Sequence, residues 1–246
     1  MSTDLYELKL AEEPDDISEA QRLRFSVFNL ELGEGLTSAV ASGLDADEFD
    51  AVCDHLLVRE RGTGEVVGTY RLQTGRTAAA SGVGYYSERE FEFGPFEPVR
   101  GEVVELGRAC VALAHRNQSV LGLLWRGIAT YAQERGARYL LGCSSLTSQD
   151  AAEGLAAYAQ LSAKNLVAEP WRTRPLPGWR CEASEDEVES RSRLGVRIPR
   201  LMTAYLAAGA AICGEPALDR EFKTIDFLTW MDLRTMPPRV LRKFAA

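Results

Sequence analysis

Ligands for metals and redox chemistry are scarce in this 246-residue chain: there are two histidines, His55 and His115, and five cysteines, Cys53, Cys110, Cys143, Cys181 and Cys213, with no C-x-x-C spacing. An odd, scattered set of thiols fits neither a disulfide framework nor a zinc site, so reduced cysteines in a cytoplasmic protein without a metal are expected. Positive charge is also short. Lys and Arg number 28 against 36 Asp and Glu, leaving a formal net charge of −8, which argues against broad nucleic-acid binding and restricts any acidic partner to a local basic patch. The longest apolar run, Leu201 to Cys213, is too short for a bilayer and contains Gly209. Met1 to Asp16 is acidic and lacks the apolar stretch of a secretory signal. The chain has no G-x-S-x-G, which removes the serine-hydrolase elbow, and neither an internal repeat nor a linker.

What remains is a chain with 46% hydrophobic residues, enough for a substantial core. One α/β domain over 1–246, with a C-terminal extension over 180–246, is the expected organisation. Ser18-Glu19-Ala20-Gln21 has the form of a capping box, followed by Ala20, Leu23, Val27 and Leu30 at helical spacing, with Arg24 and Phe28 one turn apart beside them. From Glu31 to Asp54 the Gly-, Ser- and acid-rich composition predicts a long loop carrying Asp45, Asp47, Glu48 and Asp50. His55–Arg59 and Glu65–Gln73 read as a hairpin around Arg61-Gly62-Thr63-Gly64, with Arg71 near its end. Further along, a short helix after Ser87, a helix over Ser119–Arg135 and a strand over Arg138–Cys143 with Ser144 and Ser145 at its end are expected. Ser148 offers a cap for a helix to about Lys164; Glu182 to Arg200 reads as mobile charge, Leu201 to Ala208 as a helix, and Phe222 to Leu233 as a strand near the sheet's end.

The most informative stretch is Val103-Val104-Glu105-Leu106-Gly107-Arg108-Ala109-Cys110-Val111. Its β-branched and small residues predict a buried strand, yet Glu105 and Arg108 lie within it. Strict alternation would put the two charges on opposite faces; a bulge near Gly107 would bring them to one side. An ion pair on an edge strand is the alternative without function. Cys110 and Cys143 read as small buried fillers and His55 as a structural residue at a strand start.

These motifs, in this order, resemble the GNAT acyltransferase superfamily. Arg24-x-x-x-Phe28, Asp47-Glu48-Phe49-Asp50, Gly68-Thr69-Tyr70-Arg71-Leu72 and Glu105-x-x-Arg108 resemble the acyl-homoserine-lactone synthase pattern. Val104 to Val111, Leu124-Trp125, Gly142-Cys143-Ser144-Ser145 and Gly214-Glu215-Pro216-Ala217-x-Asp219 are closer to the ornithine-lipid N-acyltransferases and N-acyl amino acid synthases. The resemblance implies an α/β (α+β) GNAT fold: a mixed, mostly antiparallel sheet with a splayed, bulged central strand pair and helices on both faces. Two departures stand out. Where coenzyme-A-binding members carry Q/R-x-x-G-x-G/A, this chain has Arg116-Asn117-Gln118-Ser119-Val120-Leu121, without the glycines; and where the ornithine-lipid group is expected to carry a lysine in the helix from Pro199, Thr203 or a neighbour stands.

The chemistry so implied is attack of an amine on a thioester. Glu105 would be the base, with Arg108 and Ser144 as catalytic partners; Arg24, Phe28, Asp47, Asp50, Arg71 and Ser145 would face the acceptor, with Arg24 equally able to clamp Asp47 or Asp50. Backbone N–H groups of Cys110 or Val111 would meet the oxyanion, and Arg116, Asn117 and Ser119 the donor's phosphate, although Ser119 could equally be a plain helix cap. A phosphopantetheine thioester on acyl carrier protein, with one phosphodiester, suits a loop without glycines better than acyl-coenzyme A does. The acceptor would be an amino acid such as ornithine, glycine or lysine, and the arginines over 172–200 could dock an acidic carrier or a peripheral membrane surface. A homoserine-lactone synthase, or an inactive acyl- or lipid-binding module, are the competing readings.

Overall fold

A computed structural model describes residues 5–237 and Val240. Eight strands, β1 (Tyr6–Leu10), β2 (Asp54–Glu60), β3 (Val66–Thr74), β4 (Val103–Val111), β5 (Tyr139–Leu146), β6 (Ala211–Ile212), β7 (Ala217–Asp219) and β8 (Thr224–Asp232), form one sheet. Their order is β1-β2-β3-β4-β5-β8-β6, with β7 also on β8. Every pairing is antiparallel except β4 with β5. Helices α1 (Pro14–Phe25), α2 (Ala39–Ser42), α3 (Gly75–Ser81), α4 (Gln118–Glu134), α5 (Ala151–Asn165), α6 (Glu185–Leu194) and α7 (Arg200–Ala207) lie around it. No helix among the described residues is long and apolar enough to cross a membrane.

Alternation along the strands divides the core between two faces. On one, Leu56, Tyr70, Val104, Leu140 and Met231 pack against the stripe of Val120, Leu124 and Ile128 on α4. On the other, Val103, Tyr139, Leu141, Leu228 and Trp230 meet Tyr85, Phe91 and Phe96, with the Tyr139, Trp171 and Trp230 rings stacked. Leu23, Val27 and Phe28 of the first helical segment cover this second face near Cys110 and Phe222.

Several boundaries differ from expectation for identifiable reasons. The first helix begins at Pro14, capped by the Glu13–Asp16 box, so Ser18 lies inside it and bonds back to the Pro14 carbonyl, while Gln21 reaches Asp50 instead of a cap. Ahead of it, β1 forms from a short alternating segment that its acidic neighbours obscure. The fifth helix is capped by Asp150, whose Oδ1 accepts from the Ala152 and Glu153 amides; Ser148 bonds the Glu153 carboxylate. Ser144 and Ser145 lie within β5 and not after it, paired to Phe227 and Asp226. The last long strand does lie near the sheet's end, between β5 on one side and the short β6 and β7 on the other. Part of the charged 182–200 segment is helix α6, begun by a Ser184–Glu187 capping box.

Candidate active site

The parallel pairing of β4 with β5 lasts three residues, from Val103–Tyr139 to Glu105–Leu141. At the next step Gly142 passes so close that a Cβ there would lie 2.2 Å from the Leu106 carbonyl oxygen. Beyond that contact the strands part, and a cavity of about 760 Å³ occupies the gap. Its walls come from both faces of the sheet. Tyr70, Leu124, Trp125, Met202, Tyr205 and Met231 make an apolar chamber on the α4 side, where the Tyr70 and Tyr205 hydroxyls bond. Phe28, Tyr86, Glu105, Arg108, Asp226 and Glu34 line the other side.

The expected bulge is present one residue beyond Gly107. Arg71 pairs with Gly107 but Thr69 with Cys110, so Arg108 and Ala109 together oppose Tyr70. Arg108 takes a φ of 49°, the left-handed conformation that a bulge residue needs. The parity change puts Arg108 on the face of Glu105: its guanidinium lies 4.9 Å from the centre of the Tyr86 ring, whose backbone N–H donates to Glu105.

Three arginines and three aspartates form a closed network behind this face. Arg24 Nε reaches Asp45 at 2.9 Å and Nη2 reaches Asp50 at 2.6 Å. Arg71 Nη1 bridges Asp47 and Asp50 at 2.5 and 3.0 Å, and Arg108 bridges Asp45 and Asp47 at 3.2 and 2.9 Å. Burial would push the Asp47 and Asp50 carboxyls up, but the arginine charges outweigh it and hold both below the usual range. Arg24, Asp47 and Asp50, expected to face the acceptor, are absent from the cavity wall; they position Arg71 and Arg108, which do line it, as does Phe28.

Glu105 is 6% exposed. Its Oε1 accepts from the Ser87 amide at 2.9 Å and the Ser87 hydroxyl at 2.5 Å, while Oε2 accepts only the Tyr86 amide, at 2.8 Å. Burial raises its carboxyl above the ordinary range, tempered by those bonds and by the Arg71 charge. Ser144 Oγ is buried on the chamber side, 3.1 Å from Thr229 Oγ1, which in turn bonds the Gly142 carbonyl. Ser145 lines the cavity on the opposite face, beside Asp226.

At the donor end, the Ala112 amide bonds the Val67 carbonyl, so by ladder alternation the Val111 N–H turns to the side that β5 has left. Cys110 is buried, its thiol pushed up to about 12 by burial. Asn117, not Ser119, caps α4: its Oδ1 accepts from the Ser119 and Val120 amides. Arg116 lines the cavity and makes a bidentate pair with Glu31 at 2.6 and 2.7 Å; Ser119 is not part of the wall. Of the arginines over 172–200, Arg172, Arg174, Arg191 and Arg193 pair with nearby carboxylates. Arg197 and Arg200 are exposed at the cavity edge beside Leu201 and have no ion-pair partner among the described residues.

Sequence reasoning passed over Glu34, Glu90 and Asp226. Glu34 comes after a π-helical turn (Ser26–Leu32) and bonds the Thr147 hydroxyl. Asp226 was detectable: it interrupts the apolar strand Thr224–Asp232 in the way that Glu105 interrupts β4.

Comparison with known proteins agrees with this fold. An acetyltransferase (GNAT) domain model matches residues 23–126. An L-ornithine N(alpha)-acyltransferase of Rhodobacter capsulatus is 32% identical over 237 residues, 94% of this chain and 91% of that protein. One of Brucella abortus is 29% identical, covering 98% and 89%. Among solved structures, FeeM, an N-acyl amino acid synthase from uncultured soil microbes, superposes with a TM-score of 0.53 at 10% identity over 96% of this chain and 97% of that one. The acyl-homoserine lactone synthase LasI does so with 0.52 at 13% identity over 93% and 90%. These two likenesses show a shared fold, with the splayed sheet expected of a GNAT protein. The chain is an acyltransferase and belongs to the L-ornithine N(alpha)-acyltransferase family.

Proposed function

We propose that the protein moves a long acyl chain from a phosphopantetheine thioester on acyl carrier protein to the α-amine of ornithine, giving an N-acyl amino acid of the lyso-ornithine-lipid type. The observation that carries this reading is the cavity that passes through the sheet, apolar on one face and rich in carboxylates on the other. An acyl tail suits the first and an amino acid the second, and the gap between β4 and β5 is where they would meet. The names of the relatives supply ornithine as the acceptor.

In this reading Glu105 Oε2, the oxygen with one accepted hydrogen bond and room for another, takes the proton from the acceptor's amine. The freed nitrogen attacks the thioester carbonyl and the carbon–sulfur bond breaks. The thiolate leaves with a proton to become the pantetheine thiol. The Val111 N–H faces the position of the developing oxyanion. Two of the first amides of α4 are already taken by Asn117, and Arg116 by Glu31, which favours a single phosphodiester over a diphosphate. Arg197 and Arg200 offer the acidic carrier a docking charge, and Arg71 and Arg108 hold the acceptor's side of the site in shape.

Purified protein given palmitoyl-carrier protein and ornithine should yield N-acylornithine by mass spectrometry, with acyl-coenzyme A a much poorer donor. Glu105→Gln keeps one acceptor oxygen, for Tyr86, but turns its NH2 toward the Ser87 amide, so it should lower kcat by about 10²–10⁴-fold at the cost of some melting temperature. Full activity in that variant would remove Glu105 as the base, and turnover from coenzyme A alone would remove the carrier.

A further inference from the structure

One part of the cavity wall holds more carboxyl groups than the fold supplies with cationic partners. Asp226 and Glu34 line it, Glu90 stands directly behind Asp226, and Asp219 is held nearby by the Tyr86 hydroxyl at 3.2 Å. Asp219 has a structural task, with Oδ1 accepting from the Glu221 and Phe222 amides at 2.8 Å. Asp226 and Glu90 have none of comparable quality. They are 3% and 0% exposed, and Asp226 Oδ1 and Glu90 Oε1 receive no hydrogen bond of good geometry. The nearest cation, Arg108, is committed to Asp45 and Asp47. Two buried carboxyls, one opening on the cavity, therefore face each other with only hydroxyl and thiol donors (Ser145 and Thr224 on Asp226, Cys143 on Glu90) and no cation, and each keeps one oxygen without a partner.

Resting on the function proposed above, we propose that Asp226, backed by Glu90 and flanked by Glu34, receives the side-chain ammonium of a diamino acid acceptor and makes the enzyme prefer such acceptors to uncharged ones. An ammonium brings three donors and no acceptor, which matches a pocket whose Asp226 and Glu90 each keep an unpartnered carboxyl oxygen and which holds no free cation. Burial, together with the Asp219 charge, pushes the Asp226 carboxyl up to about 6, with the Ser145 and Thr224 hydroxyls tempering the rise, and burial with the Asp226 charge raises Glu90 further. An arriving cation would restore the ionised form of both. The six acids and bases of the Arg24–Arg71–Arg108 network cannot serve the same end, because their charges are already paired. Asp47 and Asp50 of the acidic loop, expected from sequence to face the acceptor, thus yield that role to residues from β8 and the 86–90 turn.

The test compares ornithine with norvaline, which ends in a methyl group where ornithine carries its ammonium. Calorimetry on the intact protein should show ornithine binding at least about tenfold more tightly than norvaline, the worth of a charge-assisted hydrogen bond in a buried site. Asp226→Asn should erase that preference by weakening ornithine while leaving norvaline within about twofold, and Glu90→Gln should do so in part. Equal binding of the two amino acids by the wild type, or an equal loss of both in Asp226→Asn, overturns the inference. Because binding is read without a donor, tight ornithine binding with no acyl transfer would count against the proposed reaction and not against this pocket. Glu90, Asp226 and the Cys143 thiol also have ligand atoms within 4.8 Å of one another. Ornithine binding that needs added zinc and disappears with a chelator would overturn the ammonium assignment in favour of a metal.

Discussion

Asp226 shows how a single side chain can oppose the stability of its own fold. Its carboxyl rises from 3.8 to about 6 on burial, so ionising it costs the folded state more than the unfolded one. Below the ordinary aspartate range both states hold the proton and the cost is absent; it grows as pH climbs to about 6 and is complete above. Asp226→Asn should therefore stabilise the unliganded protein at pH 8, by on the order of 3 kcal/mol, and change it little at pH 3.5. Thermal unfolding at the two pH values checks this, and a variant no more stable at pH 8 than the wild type would mean that the fold does compensate the charge. Arg71 is the opposite case. Removing it leaves three aspartates to two guanidiniums, with Asp50 keeping only Arg24 and the partly buried Asp47 only Arg108, and Arg71→Ala should destabilise by about 3 kcal/mol in urea titration. The asymmetry comes from pairing: one carboxylate faces the cavity, the others face guanidiniums.

Among the elements, β4 and β5 decide the site because they pair briefly and then separate. Gly142→Ala would press a methyl group on the Leu106 carbonyl at the point of parting, so a loss of about 1–3 kcal/mol and a larger loss of acyl transfer are expected. An alanine variant with both properties intact would show that the separation is set elsewhere. How legible these elements are in sequence depends on locality. Glu105 within a run of β-branched residues announces a charged, buried strand, and Gly107 marks the bulge to within one residue, although Arg108 is the residue that takes the left-handed conformation. Asp226 carries the same signal on β8, but alternation alone does not single it out. The pairing of Arg24, Arg71 and Arg108 with Asp45, Asp47 and Asp50 joins segments far apart in the chain, so residue types suggest it but only the folded sheet assigns partners. Caps are the least legible: Glu13, Asn117 and Asp150 do the work that Ser18, Ser119 and Ser148 are suited to, since any short polar side chain near a helix start has the needed acceptor.

At the scale of the whole molecule the net charge of −8 would repel the acidic carrier of the proposed reaction, so docking there would rely on local basic groups. Arg197 and Arg200, exposed at the cavity edge and unpaired among the described residues, are the outstanding candidates. Charge reversal of both, Arg197→Glu with Arg200→Glu, should raise KM for acyl-carrier protein by about tenfold or more and flatten its dependence on salt, while KM for a short acyl-pantetheine thioester stays near the wild-type value. Steady-state kinetics at two ionic strengths separates the outcomes; an equal rise for both donors would place the arginines at the thioester and not at the carrier.

The cavity that pierces the sheet between β4 and β5 also constrains product departure. In the proposed reaction the amide product would be one molecule threaded through a slot, like yarn through a needle's eye, with Tyr70 and Tyr205 beside one length and Asp226 beside the other. Neither half can depart without drawing the other after it. Turnover should then be paced by that withdrawal, and a rapid first round succeeded by a slower steady rate is its kinetic signature.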